Sequence, residues 1–282
     1  MMNELTIGII GGNGSMGSLF ARELLNECKE VIISDCNTKL SNRELVKIAD
    51  LIIIAVPIEE TVKVIEEILP EVSEDKLLMD VTSLKCKPIE FMLHSKADII
   101  GMHPMFDPSV GSLEKQTIIL SPVRDRRNWL SKITSFLNTK KANFKIISPE
   151  KHDKLMSVIQ SLIHFNLISI GMTLARNGFE INELLEFASP LQRITLSTVA
   201  RILDQNYGLY GNILLENSYN QQMLVDHKQS IEDLMTIIQT QDMEKFVSIF
   251  EKASDYFADF KSRATTESNF LINELVNFNA NR

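Results

Sequence analysis

The sequence predicts an α/β domain built on a mainly parallel sheet, followed by a domain that contains only helices. In the first half, short apolar runs alternate with helical patterns, and several runs are apolar at consecutive positions, as strands buried on both faces must be. After residue 148 the strand pattern stops, and apolar residues recur every three or four positions. We therefore expect two domains, 1–148 and 149–282.

Seven segments of the first half have the length and the β-branched composition of strands. Turn residues or helical patterns separate them, which is typical of successive strand–helix units in a parallel sheet. In chain order the candidates are LTIGII, EVIISD, DLIIIAVP, KLLMDVTS, ADIIGMHP, QTIILSP and NFKIIS.

The second domain opens with a helix start: Ser148 is the expected N-cap, and Pro149 the first helical residue. Near the other end, a stripe at helical spacing predicts one strongly apolar face. We expect a homodimer built on these helices, because one chain has little left to cover such a face; an ordinary intrachain core is the alternative. The stripe consists of Phe246, Phe250, Ala253, Phe257 and Phe260.

Composition excludes several classes of protein. Of 282 residues, 44% are hydrophobic and 23% charged, which indicates a folded chain, and the net charge of −8 argues against a nucleic-acid surface. We see neither a targeting peptide nor an apolar run near the roughly 20 residues that cross a bilayer. Three cysteines without paired spacing favour reduced thiols over disulfides or a metal site. We expect a cytoplasmic protein with small-molecule partners, no membrane and no metal.

A glycine-rich turn, GGNGSMG, follows the first strand and opens an amphipathic helix. The spacing of Gly12, Gly14 and Gly17 permits a tight turn and a close approach of the backbone to a pyrophosphate. Ser15 and Met16 belong to the helix start, whose exposed N–H groups attract a phosphate. The pattern predicts a Rossmann-like nucleotide site, with a plain turn as the alternative.

Two later strand ends extend this prediction. Asp35 ends the second strand, where a carboxylate accepts hydrogen bonds from ribose hydroxyls and repels a 2′-phosphate, so NAD is favoured over NADP. A turn aspartate is the alternative, and the nearby Lys39 and Arg43 leave NADP open. Val56 and Pro57 end the third strand and are expected to form a wall of the nicotinamide pocket, unless the proline only shapes the loop.

Five motifs in order, GGNGSMG, DVTSLK, GMHPMFDPSVGSLEKQ, HDKLMSVIQSLIHF and SPLQRITLSTVARI, resemble the prephenate dehydrogenase family. The resemblance is greatest to the dehydrogenase part of the bifunctional T-protein, chorismate mutase/prephenate dehydrogenase. It implies NAD-dependent oxidative decarboxylation of prephenate to 4-hydroxyphenylpyruvate in tyrosine biosynthesis. No mutase segment precedes the first strand, so we expect a monofunctional chain.

The resemblance assigns the chemistry to two strand ends. His103 matches the family's catalytic histidine, and a neutral imidazole can accept the C4 hydroxyl proton of prephenate as hydride departs. Without the surrounding motifs, a structural histidine before proline would be the preferred interpretation. Ser83 resembles the family serine that contacts the substrate hydroxyl and the nicotinamide region, with a helix cap as the alternative.

Because prephenate is a dianion, its site needs cations. Arg193 and Arg201 are eight residues apart, so with Ser197 they form one polar stripe on a helix. Arg201 resembles the family arginine that holds the side-chain carboxylate, and a guanidinium can bind a carboxylate through two hydrogen bonds. Arg193 is a second candidate for substrate binding, or else a structural ion-pair partner.

Two further histidines share the first helix of the second domain. Gln160 and His164 are four residues apart on one face, and the resemblance places His164 near the substrate or a tyrosine effector, with a core histidine as the alternative. His152 is predicted to be rotated away and structural. Asp107 stands where the family usually has glycine; it is either a tolerated loop substitution or selects an ammonium at C4, as in 4-amino-4-deoxyprephenate.

Two rival functions stay open. One is a non-catalytic, nucleotide-sensing protein of the same fold, since fold alone does not fix function. The other is a 3-hydroxyacid or imine reductase, in which the HPMF motif has no role. The joint presence of His103, Ser83 and Arg201 favours the dehydrogenase over both.

Overall fold

The computed structural model describes residues 2–280 and divides into two compact units. The first comprises Met1–Ser157 and Gly211–Ser218, and the second Val158–Tyr210 and Tyr219–Arg282. This division differs from the predicted boundary at residue 148. Helix α6 (Pro149–Met156) belongs to the first unit, because His152 and Asp153 form hydrogen bonds with that unit's strand β5 and loop 81–86.

The first unit contains a seven-stranded sheet, and all seven predicted strands are confirmed. The strand order is β2-β1-β3-β4-β5-β6-β7, and every neighbouring pair is parallel except β5 and β6, which are antiparallel. The carboxyl ends of β1 to β5 therefore lie at one edge of the sheet. The strands are β1 (Thr6–Ile10), β2 (Glu30–Ser34), β3 (Leu51–Ile54), β4 (Leu77–Asp80), β5 (Asp98–Pro104), β6 (Thr117–Arg124) and β7 (Asn143–Ile146).

Helices cover both faces of the sheet, which explains why its central strands are apolar at consecutive positions. In β3, Leu51 and Ile53 contribute to the core on one face, whereas Ile52 and Ile54 contribute to the core on the other. Each fully buried side chain of this kind contributes about 1.5 to 3 kcal/mol. The first core also includes α1 (Ser15–Leu24) and α5 (Trp129–Thr139), and the second includes α2 (Asn42–Ile48), α3 (Ile58–Ile68) and α4 (Cys86–Met92).

The remaining elements are helical, as predicted for the second half. Ser148 caps α6 by accepting a hydrogen bond from the backbone N–H of Lys151, at 3.3 Å. A π-helical turn, Ser157–Leu162, separates α6 from α7, and α9 packs on both α7 and α13. The helices after the turn are α7 (Ile163–Asn177), α8 (Ile181–Phe187), α9 (Pro190–Leu203), α10 (Tyr207–Glu216), α11 (Asn220–Thr240), α12 (Met243–Phe257) and α13 (Phe260–Ala280).

The phenylalanine stripe predicted near the end of the chain is divided between two helices. Helix α12 ends at Phe257 because Ala258 adopts a positive φ of 38°, and Phe260 starts α13. The stripe is therefore not one helical face. Its rings are exposed, 63% for Phe250 and 51% for Phe257, so it is not part of an intrachain core among residues 2–280.

One helical run is more apolar than the sequence interpretation allowed. The run Pro149–Asn177 contains an 18-residue window whose mean hydropathy is 1.5, and 17% of that window is buried. Its length and composition alone would permit a membrane crossing. Polar residues such as Gln160 and His164 interrupt it, so the sequence shows only short apolar runs there, but the mean hydropathy of the window stays high. Such a composition is also typical of a helix at a protein interface.

Candidate active site

A chain of three buried side chains ends at the carboxyl end of β5. His103 is only 3% exposed, and its Nδ1 lies 2.8 Å from Nε2 of His152. The other ring nitrogen of His152, Nδ1, lies 2.7 Å from Oδ1 of Asp153. We call these three residues the histidine relay. The sequence interpretation of His152 as a structural residue missed this contact.

The charge on Asp153 fixes the protons along the histidine relay. Its carboxyl group accepts hydrogen bonds from the backbone N–H of Lys85 at 2.8 Å and of Cys86 at 2.9 Å. Burial raises the pKa of Asp153, but the hydrogen bonds from His152 and from the two N–H groups outweigh it, so the pKa lies below its usual value.

An ionised carboxylate only accepts hydrogen bonds, so His152 must carry its proton on Nδ1 and accept on Nε2. His103 then carries its proton on Nδ1 and keeps a lone pair on Nε2. The hydrogen-bond network thus assigns the tautomer of both rings.

Both imidazoles are held neutral. Burial lowers the pKa of His103 well below its ordinary value, and the neighbouring His152 and the Lys85 cation lower it further. Burial also lowers the pKa of His152, although its hydrogen bond with Asp153 opposes that shift. At neutral pH His103 is therefore an uncharged base that is unprotonated on Nε2.

A buried ion pair adjoins the histidine relay. The side chain of Lys85 is fully buried, and its Nζ contacts Oδ2 of Asp80 and donates to the carbonyl of Met102 at 2.8 Å. The same carboxylate oxygen lies 2.6 Å from the Thr82 hydroxyl. This pair was not predicted from the sequence, although a lysine five residues after a strand-ending aspartate, in a short loop, is a usable signal.

The glycine turn has the geometry that the motif predicts. Gly11, outside the three glycines of the motif, adopts a φ of 77°, which side chains disfavour. A Cβ on Gly12 would lie 2.2 Å from Cγ2 of Ile33, and a Cβ on Gly17 would lie 2.3 Å from the carbonyl oxygen of Gly11. These positions have no room for a side chain, so the turn keeps its backbone exposed.

The helix start beside this turn fits an anion. Helix α1 begins at Ser15, followed by Met16, and its N-cap is Gly14, which forms no side-chain cap. The first N–H groups of the helix are thus available to a phosphate. Asp35 holds the turn, because its Oδ2 accepts a hydrogen bond from the backbone N–H of Asn13 at 3.0 Å. This donor and acceptor set fits a dinucleotide.

Two more predicted site residues lie at the same edge of the sheet. Val56 follows β3 and borders the glycine turn, since a Cβ on Gly11 would lie 2.9 Å from Cγ1 of Val56. Pro57 is the N-cap residue of α3. Ser83 is half-buried in the loop between β4 and α4. The N-cap residue of α4 is Lys85, so the alternative that Ser83 caps this helix is wrong.

The other predicted residues lie in the second unit or in an exposed loop. Arg193 donates to the carbonyl of Leu185 at 2.7 Å and so caps α8, whereas Arg201 is exposed on α9. Gln160 belongs to the π-helical turn and His164 to α7; both are half-buried.

His164 and Asp107 also have defined surroundings. Burial lowers the pKa of His164, and the ring of Tyr210 packs edge-on against it with centroids 4.7 Å apart. Asp107 is exposed, and its Oδ1 accepts a hydrogen bond from the backbone N–H of Ser109 at 2.9 Å. That bond closes a local turn, as expected for a tolerated loop substitution.

A parallel sheet, a glycine turn opening a helix and a neutral buried imidazole at the carboxyl edge define a dinucleotide-dependent dehydrogenase. Two family models match the chain: the nucleotide-binding domain of prephenate dehydrogenase over residues 21–146, and its dimerization domain over residues 148–252. The chain belongs to the prephenate dehydrogenase family. By family it is an NAD-dependent oxidoreductase.

Individual relatives agree with this assignment. A "Probable arogenate/prephenate dehydrogenase" of Methanocaldococcus jannaschii is 36% identical over 92% of this chain, which spans 63% of the relative. A "T-protein" of Haemophilus influenzae is 31% identical over 95% of this chain and 71% of the relative. A crystal structure of prephenate dehydrogenase from Aquifex aeolicus with hydroxyphenyl propionate and NAD+ shares the fold, with a TM-score of 0.72, 18% identity and coverage of 92% and 99% of the two chains.

Proposed function

We propose that the protein catalyses the NAD-dependent oxidative decarboxylation of prephenate to 4-hydroxyphenylpyruvate. The observation that carries this proposal is the histidine relay, which keeps the buried His103 neutral and unprotonated on Nε2 at the carboxyl end of β5. When bound, NAD accepts the hydride from C4 of the substrate. The C4 hydroxyl proton passes to His103 Nε2 as C4 becomes a carbonyl carbon. The ring carboxylate then leaves as carbon dioxide, the electron pair of the broken C–C bond moves through the ring onto the C4 oxygen, and that oxygen takes the proton back from His103 to give the phenol.

A base with a lowered pKa suits this reaction. As hydride leaves C4, the hydroxyl becomes a protonated carbonyl, which is a far stronger acid than an imidazolium. The base needs only to be neutral and correctly oriented when this happens. The positive charge that forms on His103 is then stabilised through His152 by the carboxylate of Asp153, as in other aspartate–histidine pairs.

The predicted contacts with substrate remain proposals. Ser83 is proposed to contact the C4 hydroxyl, and Arg201, which is exposed, the side-chain carboxylate. Gln160 and His164 are proposed to complete the substrate site. For Arg193 the bond with the Leu185 carbonyl favours a structural role, although through a helix carbonyl and not through the ion pair expected from the sequence.

Two contacts bear on the choice between NAD and NADP, one made by Asp35 and one by Arg43. Its carboxylate is placed beside the glycine turn, where it would accept hydrogen bonds from ribose hydroxyls. Arg43, which could have paired with a 2′-phosphate, donates instead to the carbonyl of Glu67 at 3.1 Å. Both contacts favour NAD over NADP, with the exposed Lys39 as the remaining cation.

The substrate class includes arogenate, which the name of the Methanocaldococcus relative joins to prephenate. Arogenate differs from prephenate in its side chain, where an amino group replaces the keto oxygen, so the same ring chemistry serves both. For 4-amino-4-deoxyprephenate the turn formed by Asp107 gives no added support. The alternative that is not an enzyme is a nucleotide-sensing protein of the same fold that converts no substrate.

The test is to incubate the purified protein with NAD and each substrate, and to measure reduced cofactor together with the aromatic product. We expect 4-hydroxyphenylpyruvate from prephenate, a loss of about 10² to 10⁴ in kcat for His103→Asn, and unchanged kcat for the exposed control His94→Asn. Turnover of arogenate alone would overturn the choice of prephenate. A folded protein that binds NAD and converts none of these substrates would be a sensor.

We infer that the protein is a homodimer through its helical unit. The dimerization-domain match covers residues 148–252, and large apolar side chains of α12, including Phe250, are exposed in the single chain. The predicted cytoplasmic location stays a prediction, as does the expectation of no metal and no nucleic-acid or membrane partner.

A further inference from the structure

Lys85 contacts the carboxylate end of the histidine relay and the residue next to its other end. Its backbone N–H donates to Oδ1 of Asp153, at the carboxylate end, with a distance of 2.8 Å. Its Nζ donates to the carbonyl of Met102, the residue that precedes His103, also at 2.8 Å. One residue thus contacts Asp153 through its backbone and the backbone next to His103 through its side chain.

The fold provides a specific space for this side chain. Gly101 lies on β5 beside Lys85, and a Cβ at this position would lie 2.9 Å from Cδ of Lys85 and 2.8 Å from Cδ1 of Ile89. Any larger residue at position 101 would therefore displace the lysine stem. Lys85 itself is fully buried, and its ammonium is compensated by Asp80.

We propose that Lys85 is a positioning residue of the dehydrogenase reaction, which ties the carboxylate end and the base end of the histidine relay together and places its ammonium, paired with Asp80, beside them. The proposal rests on the proposed function, because it assigns a role toward the base of that reaction. It goes beyond that function, because the reaction as written needs no lysine.

Burial alone does not explain this ion pair. A buried pair of charges is generally no more stabilising than apolar residues of similar volume, so its presence calls for a role. Lys76 offers the comparison: it is also buried, at 7% exposure, but its Nζ donates to the carbonyls of Ala49 and Lys47, before the amino end of β4. Lys76 caps the end of α2, whereas Lys85 contacts the relay carboxylate and the residue before the proposed base.

The charge of Lys85 has a definite sign of effect on the base. A cation beside His103 disfavours its protonation, and it does the same for His152. Removing the cation should therefore make protonation of the relay easier. The acid limb of the pH profile, which is the fall of kcat at low pH as the base becomes protonated, should then move to higher pH. The titratable groups around Lys85 are Asp80 on β4, Cys86 on α4, His103 on β5, and His152 and Asp153 on α6.

The test compares the pH dependence of kcat in Lys85→Met/Asp80→Asn with wild type. The double variant removes both charges, so Asp80 is not left as a buried carboxylate without its cation. Asp80 raises the pKa of His152, but less than Lys85 lowers it, and Lys85 also lowers the pKa of His103, so the loss of both charges should still favour protonation of the relay. We expect kcat to fall by about 10²-fold, the loss that a displacement of about 1 Å causes, and the acid limb to move to higher pH. The matched control Lys76→Met should keep the wild-type limb and kcat.

Three results separate the possibilities. A folded double variant with the wild-type acid limb, whatever its kcat, would overturn the inference, because a purely structural lysine lowers the rate without moving the limb. A double variant that fails to fold is replaced by Gly101→Ala, which keeps both charges and displaces the stem; full kcat there would equally refute the role. If His103→Asn retains full kcat, the proposed function fails and not this inference alone.

Discussion

Replacing Asp153 by asparagine removes the one charge that orients the histidine relay while keeping nearly the same shape. The carboxylate accepts hydrogen bonds from three N–H groups: those of His152 Nδ1 and the Lys85 backbone meet Oδ1, and that of the Cys86 backbone meets Oδ2. An amide offers one acceptor oxygen and one NH₂ group. In either orientation of the amide, one of these backbone N–H groups faces another donor.

The two orientations damage the base in different ways. If the amide oxygen faces His152, the tautomers survive, but no negative charge stabilises the imidazolium of His103. If the NH₂ group faces His152, that ring must accept on Nδ1 and donate from Nε2, which leaves His103 with its proton on Nε2 and no lone pair there. One unsatisfied buried donor costs about 1 to 3 kcal/mol of stability in both cases.

The expected result is a fall in kcat of at least about 10²-fold, since the corresponding exchange in the serine protease triad costs about 10⁴-fold. The assay is steady-state production of reduced cofactor at saturating NAD and substrate, with NAD affinity measured separately to show that the first unit is intact. Asp50→Asn is the control, because Asp50 also accepts a backbone hydrogen bond, from Thr6 at 2.8 Å, away from the histidine relay. A folded Asp153→Asn variant with kcat within about twofold of wild type would refute the role of this carboxylate in the base, since the expected loss is at least about 10²-fold.

Four further predictions concern the cofactor, the substrate, the dimer and acid stability. Gly17→Ala should raise the Kd for NAD at least about tenfold, about 1.4 kcal/mol, because its Cβ would lie 2.3 Å from the Gly11 carbonyl; calorimetry showing wild-type affinity would remove the turn from the site. Arg201→Ala should raise KM for prephenate roughly 30-fold with little change in kcat, the low end of about 2 to 5 kcal/mol for an ion-pair partner, since the side chain is exposed; an unchanged KM removes it from the substrate site. Phe250→Glu should halve the mass found by sedimentation, and a persistent dimer would place the interface elsewhere. Burial raises the pKa of Asp98, but hydrogen bonds from Arg126 and Arg127 lower it more. Its carboxylate therefore stabilises the fold above the unfolded pKa of about 3.9, and the difference in unfolding free energy between wild type and Asp98→Asn, measured by urea titration, should vanish as the pH falls through the lowered pKa. A pH-independent difference would contradict this.

The sequence was informative wherever a physical requirement acts over neighbouring residues. A strand buried on both faces must be apolar throughout, so β3 and β4 were evident from LIII and LLMD. A tight turn against a phosphate needs glycine, so Gly12 and Gly17 were found by spacing alone. Ser148 was found because a helix start satisfies its own N–H groups locally.

The histidine relay could not be predicted in the same way, because it depends on contacts between distant segments. His103 and His152 are 49 residues apart, and Asp153 meets the Lys85 N–H across 68 residues. Counting along a regular helix predicted that His152 faces away from Gln160 and His164. That count gives no information on which face of α6 packs against β5, so the contact with His103 was not predicted. The π-helical turn after α6 also breaks the regular count toward Gln160.

The most direct test of the central claim is a long-range ¹H–¹⁵N spectrum of the protein labelled at its five histidines. At neutral pH it should show His103 protonated on Nδ1 and unprotonated on Nε2, with the same tautomer for His152. That state should persist in His103 as the pH falls through the usual histidine range near 6.5. A His103 ring that carries its proton on Nε2, or becomes an imidazolium near that pH, would contradict the base proposed here.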